Sequence, residues 1–191
     1  MRLNNLIDIQ NLIIKTYLSD VKVAIDATLG NGKDTINMLE MFGSEVKIYA
    51  FDIQQQAIDS AKSAIKPEYH KNVVFINDSH EYIDNYVTEK PELITFNLGY
   101  LPKSDHVIKT QSYTTLRALD KAVKMLKSGG LITIMFYVGH DNAREYNNLS
   151  EFVRILNPST FKAIHINPVN QDQNAPKLVI IQKLEEKNET K

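Results

Sequence analysis

The 191-residue chain contains no cysteine. That excludes disulfides, a thiolate metal site and a cysteine nucleophile. It has no apolar run of membrane-spanning length, and Met1-Arg2-Leu3-Asn4-Asn5 lacks the charged and apolar regions of a signal peptide. The expectation is a cytoplasmic protein. Neither sign of charge dominates: 22 Lys and Arg stand against 23 Asp and Glu, a net charge of −1. This balance argues against a broad, sequence-blind nucleic-acid binder and leaves room for a small RNA footprint on a local basic patch. Repeats, low-complexity segments and linkers are also missing. What is present, 43% hydrophobic and 24% charged residues, describes one soluble globular domain over 1–191. An N-terminal helix is expected within 1–20, and the charged tail 185–191 is expected to fray.

Hydrophobic periodicity predicts helices at about 3–18, 33–42, 54–65, 79–87, 111–127 and 141–156. Strands are predicted at about 22–26, 46–51, 72–77, 92–97, 130–137, 160–166 and 177–183. Strict alternation is the pattern of an α/β fold, a mostly parallel sheet covered by helices on both faces. The last two strands, with no clear helix between them, would add a hairpin-like pair and one antiparallel strand, making seven in all. Gly43 ends a helix, and Gly129 and Gly130 turn into the fifth strand. Gly99 and Gly139 fall at the C-terminal ends of the fourth and fifth strands, where open parallel sheets bind ligands.

The first strand runs into Asp26-Ala27-Thr28-Leu29-Gly30-Asn31-Gly32-Lys33-Asp34. A strand, a small-residue turn and a helix N-terminus in that order form a nucleotide-type cofactor site. The second strand ends in Asp52, followed by Ile53 and Gln54, and an acid there suits a ribose hydroxyl pair. A dinucleotide fingerprint would carry a third glycine, which is missing after Gly32. Asp34 on the first helical turn would repel a pyrophosphate. It suits the cationic ammonium of S-adenosylmethionine, or it merely complements the helix dipole. Asp78-Ser79-His80, after the third strand, lies where an adenine edge would rest; these residues equally suit a helix start.

The fourth strand leads into Asn97-Leu98-Gly99-Tyr100-Leu101-Pro102. Enzymes that methylate exocyclic amino groups of nucleobases place an Asn/Asp-Pro-Pro-Tyr/Phe loop here. Its Asn or Asp side chain and a backbone carbonyl accept from the target nitrogen, and its ring stacks on the base. Asn97 and Tyr100 have that spacing, with Leu98-Gly99 in place of the prolines. Tyr137-Val138-Gly139-His140 ends the fifth strand. Asp105 and His140 are candidate proton acceptors, and each has an ordinary alternative, a solvated charge and a helix cap. The segment 103–127 is locally basic, with Arg117, Lys121 and Lys124 at i, i+4 and i+7 on one helix face. That stripe either follows an RNA phosphate backbone or is a solvated face. Tyr113 and Tyr146 either stack on bases or pack in the core.

These landmarks, with Gln173-Asn174-Ala175-Pro176, resemble the small bacterial S-adenosylmethionine-dependent tRNA 5-(aminomethyl)uridine methyltransferases along essentially the whole chain. The resemblance implies a Rossmann-like class I methyltransferase fold with a seven-stranded sheet. It implies methylation of the 5-aminomethyl group of wobble (2-thio)uridine 34, with S-adenosyl-L-homocysteine as the second product. It also implies cofactor contacts from Gly30, Asn31, Gly32, Asp34, Asp52, Gln54, Ser79 and His80, to which the residues themselves add Asp26 and Asp78. Asn97 to Pro102 would form the acceptor loop. The expected partner is a tRNA anticodon arm, with no membrane, no metal, and a homodimer compatible with the size. Two other readings stay open: a methyltransferase for rRNA or a small-molecule amine, and a dinucleotide-dependent oxidoreductase or nucleotide-binding module.

Overall fold

The computed structural model describes residues 5–99, 112–138, 143–172 and 175–185. Its first element is helix α1, Leu6–Tyr17. The Asn5 side chain caps it by accepting from the Ile7 N–H, and Leu6, Gln10 and Ile14 form its buried face at every fourth residue. Strands and helices then alternate: β1 (Val23–Asp26), α2 (Lys33–Phe42), β2 (Lys47–Phe51), α3 (Gln55–Ala64), β3 (Val73–Ile76), α4 (Ile83–Tyr86), β4 (Leu93–Leu98), α5 (Ser112–Met125), β5 (Leu131–Phe136) and α6 (Arg144–Arg154). Two strands close the chain, β6 (Phe161–Ile166) and β7 (Lys177–Lys183).

The seven strands form one sheet in the order β3-β2-β1-β4-β5-β7-β6. β1 to β5 pair in parallel, and β7 inserts antiparallel between β5 and β6. The expected antiparallel strand is therefore β7. The order reverses between β1 and β4, so their C-terminal ends form the switch-point crevice of an open sheet. Register aligns Asp26 with Ala50 on β2 and with Thr95 on β4.

The sheet separates two apolar layers. One packs Leu6 and Ile14 of α1, Met38 and Leu39 of α2, and Ile58 and Ala61 of α3 against it. The other packs Ile83, Leu119, Val123 and Leu149 from α4, α5 and α6. β5 is buried at all six positions, which explains its near-continuous apolar run Leu-Ile-Thr-Ile-Met-Phe, interrupted only by Thr133. Strand β6, on the sheet edge, is exposed at its four central positions. No helix among the described residues is long and apolar enough to cross a membrane.

One local expectation changes. The helix expected over 79–87 is a 3-10 turn, His80–Tyr82, running into the single turn of α4. The Ser79 hydroxyl accepts from the Glu81 N–H, and the His80 ring is drawn to a carbonyl on another loop, so the turn stays tight. A further 3-10 turn, Pro67–Asn72, precedes β3; Pro67 supplies the fixed φ that starts it.

Candidate active site

β1 ends at Asp26, and the chain crosses to α2 over Ala27–Gly32. Its path is sewn to both neighbouring strands. Ala27 N–H donates to the Thr95 carbonyl at 2.9 Å, and Leu29 N–H to the Phe51 carbonyl at 2.8 Å. Asp26 is fully buried under the turn. One of its oxygens accepts from the Thr28 N–H at 3.2 Å, the other from the Thr35 hydroxyl at 2.7 Å. Gly32 caps α2 with φ of 77°. A Cβ there would lie 3.0 Å from Ala61 Cβ, so glycine at 32 lets α3 close onto the start of α2.

A cavity of about 740 Å³ opens beyond the C-terminal ends of the strands, a size suited to a small-molecule ligand. Asp52 stands at the end of β2. Its Oδ2 accepts from the Gly30 N–H and its Oδ1 from the Gln54 N–H, both at 2.9 Å. A carboxylate has about four acceptor sites, so lone pairs remain for a ligand's hydroxyls. After β3, Asp78 accepts from the Ser79 N–H and from the Tyr86 hydroxyl, both at 2.7 Å. His80 Nδ1 lies 2.9 Å from the Ala27 carbonyl. A carbonyl can only accept, so Nδ1 carries the proton and Nε2 is an acceptor; among the described residues it is buried without a partner. Burial also holds His80 below its usual pKa, in the neutral form.

On the other side of the turn, Asn97 N–H donates to the Thr28 hydroxyl at 2.6 Å. The Asn97 Nδ2 donates to Asp34 Oδ2, and Asn97 Oδ1 is buried without a partner among the described residues. Tyr137, one residue past β5, lies beside Gly99 and lines the same wall.

The cavity is electrostatically one-sided. Asp34, Asp52, Asp78 and Glu81 line it, against the single cation Lys33 among the described lining residues. Burial is the main cause that raises the acids: Asp26 to about 7, with the Asp34 charge adding, and Asp34 to about 6, opposed by the bond from Asn97. Burial also raises Asp52, opposed by the backbone N–H groups it accepts from. Such a site attracts a cation and disfavours a pyrophosphate. Among the described residues no group of three or more His, Asp or Glu side chains is placed to hold a metal ion.

Of the residues singled out from sequence, Gly30, Asn31, Asp34, Asp52, Gln54, Asp78, Ser79, His80, Asn97 and Gly99 meet around this one cavity. Two are placed differently. Asp26 does not line it: with both oxygens bonded inside the loop, it braces the turn from below. Gly32 does not line it either, because its open face is filled by Ala61. Arg117, Lys121 and Lys124 share a helix but lie off the cavity, each beside a carboxylate: Glu81 at 3.2 Å, and Asp84 and Asp120 at 2.6 Å. Tyr113 is exposed under the Arg117 guanidinium, and Tyr146 packs edge-on against Phe136. Tyr100, Asp105 and His140 lie outside the described residues. Sequence reasoning passed over Ile7, Thr28, Asn37 and Glu81, all in the lining. Asn37 was discoverable at i+3 from Asp34 on α2; Ile7 was not, because only tertiary packing lays α1 over the crevice.

The family model described as "Putative rRNA methylase" matches residues 48–182. The chloroplastic tRNA (mnm(5)s(2)U34)-methyltransferase of Arabidopsis thaliana is 37% identical over 149 residues, 72% of this chain and 54% of the plant protein. The chain spans about half the length of the curated relatives it matches. Among solved structures, a Clostridium thermocellum protein described as a "putative rRNA-methylase" superposes with a TM-score of 0.88 at 33% identity, covering 93% of this chain and 97% of that one. A Streptococcus mutans protein described as "a putative methyltransferase", solved in complex with SAH, superposes with a TM-score of 0.83 at 38% identity and the same coverage.

Proposed function

The chain belongs to the family described as "Putative rRNA methylase", and from that premise we propose that it is an S-adenosylmethionine-dependent RNA methyltransferase acting on the 5-aminomethyl group of wobble uridine 34 in tRNA. Its sheet is that of the Rossmann-like class I methyltransferases. The observation that carries the reading is the meeting of an acid-lined cofactor cavity with the unpartnered amide oxygen of Asn97. The plant relative's wobble-uridine activity supports the choice of acceptor.

The cavity's residues fit the cofactor. Asp52 retains acceptor sites for ribose hydroxyls, between backbone groups that hold its carboxylate in place. Asp78, Ser79 and the unpartnered His80 Nε2 offer hydrogen-bonding groups along an adenine edge. Asn31, Gln54 and the Gly30 backbone complete the cofactor side, and the acidic wall suits a ligand bearing a sulfonium and an ammonium. When bound, the cofactor supplies an electrophilic methyl group.

The chain's own task is to deliver a neutral amine in line. Burial of an amine disfavours its charged form, and alignment supplies much of the acceleration. Asn97 Oδ1 accepts an N–H of the amine and turns the nitrogen lone pair toward the methyl. Tyr100 stacks on the uracil, and Asp105 or His140 takes the released proton, directly or through water. The partner is a tRNA anticodon arm.

The test is nucleoside mass analysis after incubating the protein with S-adenosylmethionine and tRNA carrying unmethylated aminomethyl-uridines. A gain of one methyl on that nucleoside is expected. No gain, with S-adenosylmethionine bound by calorimetry, would leave the methyltransferase and overturn the wobble-uridine acceptor. The family's description favours rRNA as the second reading; methyl transfer to ribosomal RNA in the same assay would establish it.

A further inference from the structure

One side-chain contact joins the two halves of the cavity. Asp34 belongs to the cofactor side, on the first turn of α2, and Asn97 belongs to β4, sixty-three residues later. The backbone of Asn97 is held independently, by pairing with Met135 on β5 and by its N–H bond to Thr28. The remaining freedom is the orientation of the amide.

A primary amide can present either its oxygen or its nitrogen to a neighbour, and the two ends have nearly the same shape. A carboxylate removes that ambiguity. Ionised Asp34 only accepts, so the Asn97 nitrogen must face it, as it does here. Asp34 is 6% exposed and lines the cavity. The amide oxygen is then directed away from Asp34, and it is buried with no donor among the described residues. Buried acceptors are almost always bonded, so this oxygen calls for a ligand N–H or O–H.

We propose that Asp34 is a positioning residue: it locks the Asn97 amide so that Oδ1 meets the N–H of the acceptor amine. Its effect on turnover runs through Asn97 and not through affinity for the cofactor. This rests on the methyltransferase reading above, and it gives Asp34 a task different from facing the cofactor's ammonium. It also gives the site a chemical selectivity. With the nitrogen of Asn97 occupied, only an acceptor faces the reacting atom, which favours an amine bearing N–H over a group that can only accept.

The experiment is a double-mutant cycle on the full chain with Asp34→Ala, Asn97→Ala and the pair, measuring kcat and KM on aminomethyl-uridine tRNA. S-adenosylhomocysteine affinity is measured by calorimetry, and the Asn97 side-chain amide by nitrogen-15 NMR without substrate. Each single variant should lose roughly 100-fold in kcat, and the pair about the same 100-fold, not the ten-thousandfold product. S-adenosylhomocysteine affinity should change less than about threefold, and the Asn97 amide resonance should move when Asp34 is truncated. Asp34→Asn, whose Oδ1 can still accept from Nδ2, should recover roughly tenfold of the loss and keeps the cycle interpretable if the alanine variant fails to fold. Multiplicative losses, an unmoved amide resonance, or a more than tenfold fall in S-adenosylhomocysteine affinity would overturn the proposal. If the wild type methylates no tRNA, the acceptor assignment falls. The NMR and calorimetric results then still decide whether Asp34 holds the amide or the cofactor.

Discussion

At the residue scale, acids divide the labour by how deeply they are buried. Asp52 is half-open and anchored by two backbone N–H groups, so it can meet a ligand. Asp52→Ala should weaken S-adenosylhomocysteine binding by roughly tenfold or more, the loss of a charged hydrogen-bonding partner, as read by calorimetry. Asn97→Ala should leave that affinity intact and lower turnover. Asp26 behaves differently because it never meets solvent. Its carboxyl ionises at 3.8 in an ordinary setting and at about 7 in the folded protein. Between those values the folded state holds more protons than the unfolded state. Stability contributed by Asp26 is therefore fully present below about 4 and is lost as pH rises through 7. Asp26→Asn can keep both bonds, its oxygen accepting from Thr28 and its nitrogen donating to the Thr35 hydroxyl. It should flatten the fall of Tm between pH 4 and 7, and stabilise the protein at pH 8 by on the order of a few kcal/mol. A Tm profile that keeps the wild-type slope would place the titration elsewhere.

At the element scale, the site depends on how closely α3 approaches α2. Gly32 has a positive φ and no room for a Cβ, whereas Gly43 has a positive φ of 71° with open space around it. Comparing alanine at the two positions separates backbone strain from steric exclusion. Gly43→Ala should cost about 1 kcal/mol, and Gly32→Ala about 2–3 kcal/mol in urea unfolding. Ala61→Gly added to Gly32→Ala should recover only part, because the φ strain stays. Equal losses at 32 and 43 would show that α3 yields easily. The shared strand ends matter as much. Thr28 on the turn and Asn97 on β4 meet through one hydroxyl, which ties the turn after β1 to the end of β4.

At the scale of the whole molecule, charge is balanced in sum, and on α5 it is also paired locally. Arg117, Lys121 and Lys124 each already face a carboxylate, so α5 offers less free positive charge than its sequence suggests. RNA affinity should then depend weakly on salt. The KM for tRNA should rise by roughly tenfold between 50 and 200 mM salt, the slope of one or two phosphate contacts. A rise of a thousandfold would mean a surface that follows many phosphates. The two apolar layers set the remaining architecture: α1 closes one face of the sheet and brings Ile7 to the cavity.

Much of this was legible in the chain because it is local. The period of apolar residues marks the helices and strands, and the alternation of the two makes a parallel sheet nearly unavoidable. Acids and glycines at strand ends locate the cavity, since the C-terminal ends of parallel strands meet on one edge. The tertiary structure decided what depends on distant contact. It turned Asp26 from a ligand into a brace, because Thr28 and Thr35 close on both its oxygens. It made Gly32 a packing glycine, because α3 lies against it. It paired Asp34 with Asn97, a bond between residues far apart in sequence. Spacing along a chain says which residues share an element; which atom of a side chain is left without a partner is known only when every neighbour is in place.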